Sequence, residues 1–116
     1  MLTVSCAPKL VPPQDQHRMR RVQAPVDVVY RAVKPSLMKH GYVIVDSDVT
    51  IGLTKARKIN GKKFMVISVK KQSEGGSFVK IKLIAIKNGR PLKVPEKTML
   101  ELENILQDIE IISSGR

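Results

Sequence analysis

The residue types that carry out chemistry are few in this sequence, and none stands at a spacing typical of a catalytic motif. Ser47 and Ser68 have no histidine at a motif spacing, so a serine triad would have to be assembled entirely by the fold. Asp46 and Asp48 form a carboxylate pair, but we expect them to hydrogen-bond the local backbone in a turn. Cys6 has no oriented base beside it to activate a thiolate. The sequence therefore predicts a protein that is not an enzyme.

Cofactor and metal sites are equally weakly indicated. Gly75 and Gly76 have the pattern of a turn and do not form a phosphate-binding loop after a strand. A single cysteine rules out an intramolecular disulfide and any metal site built from several cysteines. His17 and His40 are far apart in sequence, and a zinc site would need both of them plus carboxylates placed by the fold. We expect neither a cofactor nor a metal.

Positive charge is concentrated in the middle of the chain. The 116 residues include 21 Lys or Arg and 10 Asp or Glu, a formal net charge of +11. Residues 55–93 hold twelve of the basic residues and one acid, Glu74, whereas residues 94–116 are net negative. Such a field favours anionic partners, namely nucleic acid, phospholipid headgroups, lipopolysaccharide or an acidic protein. A merely solvated, solubilising surface is the alternative explanation.

The length suits one domain. Residues 1–16 contain three of the seven prolines and no apolar periodicity, so they are predicted to form a flexible tether. Residues 17–116 are predicted to form a single domain.

Apolar periodicity in this domain predicts the order β-α-β-β-β-β-α. A first helix begins at Pro25 and ends at Gly41, and Pro35 inside it either kinks it or splits it in two. Strands are predicted over 17–23, 42–45, 50–58, 63–71 and 78–87. The fold class is therefore α+β, with a single antiparallel sheet of four to five strands and two helices on one face.

Turns and the second helix complete this pattern. Residues 46–48 are predicted to be a turn, and Asn60-Gly61 is a strong hairpin signal. A second helix begins at Pro95 with Glu96, and its apolar stripe comprises Met99, Leu102, Ile105, Leu106, Ile109 and Ile112. Its opposite side is acidic, so we expect this helix to pack its apolar stripe against the sheet.

Alternation in the last two strands predicts what the other side of the sheet presents. If the helices cover the apolar side, the uncovered side mixes lysines with large apolar residues, which is typical of a contact surface. The predicted binding surface consists of Phe64, Val66, Lys70, Phe78, Lys80, Lys82, Ile84 and Ile86. Alternatively, the N-terminal segment folds over this side, or one helix lies on each side.

Three segments of the chain resemble small lipoproteins of Gram-negative cell envelopes: residues 26–33, 37–44 and 46–57. In these lipoproteins a helix ends in Gly-Tyr, here Gly41-Tyr42, and a strand pair carries an Asp turn followed by a Gly-Leu-Thr step, here Gly52-Leu53-Thr54. Their domains are similar to the helix-grip repeats of the C lipoprotein of the outer-membrane β-barrel assembly machinery.

The resemblance implies a periplasmic domain with a binding or scaffolding role and no catalysis. It also implies lipidation at Cys6 after signal cleavage, and the residues around Cys6 look like the end of a lipoprotein signal peptide. Five residues precede Cys6, so a lipid anchor is expected if a longer leader exists, and a cytoplasmic location if Met1 is the native start.

Two functional hypotheses follow. The first is a tethered periplasmic lipoprotein domain that binds an envelope protein or an anionic envelope surface through the uncovered side of its sheet. In this case only the lipid anchor contacts the membrane. The second is a cytoplasmic nucleic-acid-binding module in which the lysines contact phosphates and Phe64 and Phe78 stack on bases. Self-association through the sheet is a third way to use the same surface.

Overall fold

Strands of two residues lie toward both ends of the chain, and the longer strands lie between them. The computed structural model describes residues 9–59, 61 and 63–115. Its elements are β1 (Leu10–Val11), a 3-10 turn (Pro13–Asp15), β2 (His17–Val22), α1 (Val26–Lys39), β3 (Tyr42–Asp48), β4 (Leu53–Lys58), β5 (Lys63–Lys71), β6 (Ser77–Lys87), β7 (Arg90–Pro91), β8 (Val94–Pro95) and α2 (Glu96–Ser113).

The main sheet is antiparallel throughout and has the strand order β2-β6-β5-β4-β3, with β7 paired to the end of β6. The α+β class with two helices is confirmed. The predicted count of four to five strands is too low, because the main sheet has six strands among the described residues and β1 and β8 form a separate pair. The additional strands have two residues each, too few for alternation to be recognised in a sequence.

Both helices pack on the same face of the sheet. The residues that alternate toward them on β5 and β6 are almost fully buried, and α1 and α2 also pack against each other. The α2 stripe lies in this core, except that Ile112 is 40% exposed and Ser113 is buried in its place. The core therefore lies between one sheet face and two helices, as expected for a one-sided layer.

Pro35 does not split α1. The helix runs without interruption from Val26 to Lys39, with Pro25 at its N-cap. Next to Pro35, the Ser36 hydroxyl donates a hydrogen bond of 2.8 Å to the Ala32 carbonyl, one turn earlier in the helix. After His40 the chain takes a positive φ of 83° at Gly41, which ends the helix as predicted.

Residues 9–16 differ from the expectation of a flexible tether. Leu10 and Val11 pair with Pro95 and Val94, and Gln16 is only 1% exposed. Its side-chain amide donates to the Val11 carbonyl at 3.0 Å and to the Leu92 carbonyl at 2.7 Å. The folded unit in the described part of the chain thus extends upstream of His17 to this segment. Cys6 lies outside the described residues.

One turn also lies elsewhere than expected. Asp46, Ser47 and Asp48 are the last residues of β3, which carries a register shift between Ile44 and Asp46. The turn to β4 is formed by residues 49–52. The predicted hairpin at Asn60-Gly61 involves Asn60, which lies outside the described residues. Within the described residues, no helix has the length and apolar character needed to cross a membrane.

Gly52 is the tightest point of the turn between β3 and β4. Its φ is +66°, and a Cβ atom there would lie 2.4 Å from the Val69 carbonyl oxygen. Gly75 has a similar φ of +85°, but a Cβ atom there would meet nothing within 4 Å beyond its own chain neighbours. The two glycines share the backbone conformation and differ in the space around them.

We expect Gly52→Ala to lower the free energy of unfolding by about 2–4 kcal/mol and Gly75→Ala by about 1 kcal/mol, because only the first adds overlap to backbone strain. Urea denaturation of both variants measures the difference. Equal losses would contradict the close approach of Gly52 to Val69.

Candidate functional site

The candidate site is the sheet face that the helices leave uncovered, called here the open face. Its residues follow from strand register, because side chains of directly paired residues lie on the same side. The open face consists of His17, Met19, Arg21, Val43, Asp46, Asp48, Leu53, Lys55, Arg57, Phe64, Val66, Ser68, Lys70, Phe78, Lys80, Lys82, Ile84 and Ile86.

All eight residues of the predicted binding surface lie on the open face, on the two adjacent strands β5 and β6. The directly paired residues are Lys70 with Phe78, Ser68 with Lys80, Val66 with Lys82, and Phe64 with Ile84, while Ile86 follows toward β7. The three lysines are exposed, and Val66, Phe78, Ile84 and Ile86 are half-buried. The structure thus brings these residues together, and their binding role stays a prediction.

Neighbouring strands add basic residues that the sequence analysis did not include. Arg21 of β2 pairs with Phe78, and His17 pairs with Lys82. On the other side, Lys55 of β4 pairs with Val66 and Arg57 pairs with Phe64. The alternation of Thr54 and Ala56 with Lys55 and Arg57 in the sequence of β4 was the signal that could have found these two basic residues.

Apolar side chains interrupt the basic surface at separate positions. Phe64 is 38% exposed and Met19 is 51% exposed. Phe78 lies between Arg21 and Lys70 across neighbouring strands. Since Phe64 pairs with Ile84, six residues from Phe78 along β6, the two rings are roughly 20 Å apart at about 3.3 Å per residue. They are too far apart to stack on each other.

The basic residues of the open face form no ion pair with any residue that the structure describes. The acids of this face, Asp46 and Asp48, lie on the edge strand β3. Asp48 accepts hydrogen bonds from the Thr50 hydroxyl and, at 3.0 Å, from the Thr50 backbone N–H. These bonds hold the pKa of Asp48 below its usual value. Asp48 therefore has the local backbone role that its sequence position predicts.

The acids of α2 are held behind the sheet by basic residues on the helix-covered side. Glu103 and Glu110 pair with Arg20 at 3.4 and 3.3 Å, and Glu103 also pairs with Arg18 at 3.6 Å. Glu101 lies 3.5 Å from the Lys58 ammonium. These pairs face away from the open face. These three acids of α2 therefore pair with basic residues on the covered side and do not neutralise the positive charge of the open face.

His40 and Asp108 form the one close His–carboxylate pair among the described residues. His40 Nε2 lies 2.8 Å from the Asp108 carboxylate. This hydrogen bond, with a smaller contribution from Lys39, holds the pKa of Asp108 below its usual value. No described serine hydroxyl bonds to His40, and the buried Ser36 and Ser77 hydroxyls donate to backbone carbonyls instead. The pair joins the end of α1 to α2.

Tyr42 is also unsuited to proton transfer. Its side chain is buried, and Lys58 Nζ lies 4.8 Å from the ring centroid. Burial, together with the nearby Glu101 carboxylate, raises the pKa of Tyr42 far above its usual value. The raised pKa keeps this phenol neutral. A general base needs a pKa near the working pH, and Tyr42 does not have one. Its role in the described structure is to pack.

A cavity of about 700 Å³ lies at the end of the molecule where α1 begins. Its walls include Tyr30 and Val49, and its charged residues, Lys71, Asp27 and Glu74, carry both signs. This mixture selects no class of ligand. Among the residues that the structure describes, no three His, Cys, Asp or Glu side chains are grouped so that they could hold a metal ion.

No family model matches this chain, and no curated protein matches it. Among solved structures, the crystal structure of Ara h 8.0201 is similar, with a TM-score of 0.54 and 13% sequence identity over 86% of this chain and 97% of the other. At this identity the similarity concerns the fold alone. That protein has a Bet v 1-like, helix-grip fold. The chain therefore has a helix-grip-like α+β fold, as its sequence predicts.

Proposed function

We propose that this chain is a non-enzymatic binding or scaffolding module of the periplasm, and that its open face docks onto an acidic envelope protein or an anionic envelope surface. The observation that carries the proposal is the basic open face itself, whose lysines and arginines have no acidic partner among the described residues. An uncovered face whose charges are mainly positive attracts partners of the opposite sign.

The apolar residues of the open face favour a protein as this partner. Phe64, Met19 and the half-buried Val66 and Ile84 lie between the basic residues and give a partner apolar area to bury. Interfaces combine buried apolar centres with charged surroundings in this way. Charge opposes the stacking of two open faces in a homodimer, since Lys80 and Lys82 have no row of acids to meet in a second copy.

A nucleic-acid-binding function is the second candidate, and one observation favours it. Phe78 is flanked across the strands by Arg21 and Lys70, so a base stacked on the ring would have cations on both sides for its phosphates. The distance between Phe64 and Phe78 limits such stacking to isolated bases. This geometry makes the protein partner the better-supported proposal.

If the open face is kept basic for binding, its charges cost stability. We expect Lys82→Gln to raise the free energy of unfolding slightly at low salt, because Lys80 lies beside Lys82 on the same side of β6, and the gain to shrink as salt screens the repulsion. Arg20→Gln is the matched control and should lower the stability, since it removes the pairs with Glu103 and Glu110. Thermal unfolding at two salt concentrations measures both changes. A loss of stability in Lys82→Gln would argue against a functional origin of this charge.

The docking proposal is tested with a photo-crosslinking side chain in place of Ser68, at the centre of the open face, in the full-length protein in its native host. We expect a discrete protein adduct that disappears in the double variant K80E/K82E. The control is K34E/K97E, which reverses two exposed charges on the helices and should leave the adduct in place.

Other outcomes of this experiment overturn the proposal. An adduct that survives K80E/K82E places the contact elsewhere. A nuclease-sensitive adduct replaces the protein partner by nucleic acid, and binding of a single-stranded 20-nucleotide probe should then weaken steeply with salt.

The periplasmic anchor is a separate prediction. With Cys6 lipidated, we expect the native protein to incorporate labelled palmitate and to partition with membranes, and Cys6→Ser to lose both properties, because a diacyl anchor supplies stable membrane binding. Fractionation and labelling in the native host measure this. An unlabelled wild-type protein in the soluble fraction would refute the anchor without affecting the open-face prediction.

A further inference from the structure

A second basic surface lies at the end of the molecule away from the start of α1, outside the centre of the open face. A groove of about 380 Å³ runs between the ends of β5 and β6 and the segment that leads from β7 into α2. Its lining combines three lysines with apolar residues: Lys63, Lys87 and Lys93 with Ala85, Ile86, Leu92, Val94 and Pro95. We call it the end groove.

The walls of the end groove are fixed by the surrounding hydrogen bonds. The Leu92 N–H donates to the Ala85 carbonyl at 2.8 Å, and the Leu92 carbonyl accepts from the buried Gln16 amide at 2.7 Å. Val94 is 4% exposed and pairs with Val11. The segment is therefore held from both sides, and these contacts fix the shape of the groove.

The charges of the end groove have one sign. None of its three lysines forms an ion pair with a described residue, and its lining contains no acid. The nearby Glu96 lines an adjoining cavity with Lys9 and Lys97 instead. A cationic rim favours a negatively charged group, and an apolar wall favours alkyl carbon beside it.

We propose that the end groove binds an anionic amphiphile, a molecule with a phosphate or carboxylate headgroup on an alkyl chain. The lysines contact the headgroup, and Leu92 and Val94 contact the chain. Both parts are needed: each buried methylene is worth roughly a fourfold gain in affinity, so the chain adds to what the charge supplies. This site is separate from the centre of the open face, where Lys80 and Lys82 lie.

The proposal is tested by titrating the ¹⁵N-labelled full chain with octyl phosphate below its micelle concentration. We expect shifts at the backbone amides of Ala85, Ile86, Leu92 and Val94, with affinity rising from butyl to octyl phosphate. Inorganic phosphate and octyl glucoside, which carry only the charge or only the chain, should bind at least tenfold more weakly. Equal binding by either one, or shifts centred elsewhere, would overturn the proposal.

Two double variants locate the headgroup. K87Q/K93Q is expected to weaken octyl phosphate binding at least tenfold, whereas K80Q/K82Q removes the same charge from the open face and should change it less than twofold. An unchanged affinity in K87Q/K93Q would overturn the site. Because the lysines of the two pairs lie on different surfaces, failure here leaves the open-face proposal standing, and the reverse also holds.

Vesicles identify the source of the amphiphile. Sedimentation of the protein with phosphatidylcholine vesicles containing 30% phosphatidylglycerol, lost in K87Q/K93Q, assigns the groove to a membrane lipid. Binding of octyl phosphate without sedimentation assigns it to a free amphiphile. Absence of binding in both assays overturns the proposal.

Discussion

The packing of both helices on one face of the sheet is the constraint on which the other properties of this molecule depend. A side chain on β5 or β6 is either buried under α1 and α2 or placed on the opposite side, according to its parity in the strand. Burial of Met65, Ile67, Ile81 and Leu83 supplies the core. The alternate positions of these strands do not pack against the helices, so they can carry lysine, arginine and exposed aromatic residues.

The same arrangement separates the charges of the protein. The acids of α2 meet Arg18, Arg20 and Lys58 on the covered side, where β2 and β4 present every second residue to the helix. The alternate residues of these strands, such as Arg21 and Arg57, project to the open face. A chain with an acidic segment and a basic segment thus becomes a molecule in which the acids of α2 lie behind the sheet, while the cations in front of it form no ion pair with a described residue.

Where local pattern and tertiary packing agree, the sequence was sufficient. The period-two alternation of residues 63–71 and 78–87 placed both central strands and the eight predicted surface residues on one face. The apolar stripe of α2 identified its buried side up to Ile109. In these segments the burial of each side chain follows the local apolar periodicity, so the neighbouring residues in the sequence are enough to predict it.

The parts that sequence reasoning missed depend on distant partners. Val11 and Val94 form strands because they pair with each other across most of the chain, and Gln16 is buried because its amide finds the Val11 and Leu92 carbonyls. The aspartates after Val45 continue β3 because β4 supplies their hydrogen bonds. The end groove escaped prediction for the same reason, since its lysines belong to three segments that only the fold brings together.

The register shift in β3 has a consequence for the edges of the sheet. β3 is an outer strand, and its exposed Val43 and Val45 would offer another chain a template for β-pairing and aggregation. The bulge between Ile44 and Asp46 breaks the regular row of backbone donors and acceptors, and the carboxylates that follow bring charge to the same edge. Addition of a further strand is thereby discouraged at this edge of the sheet.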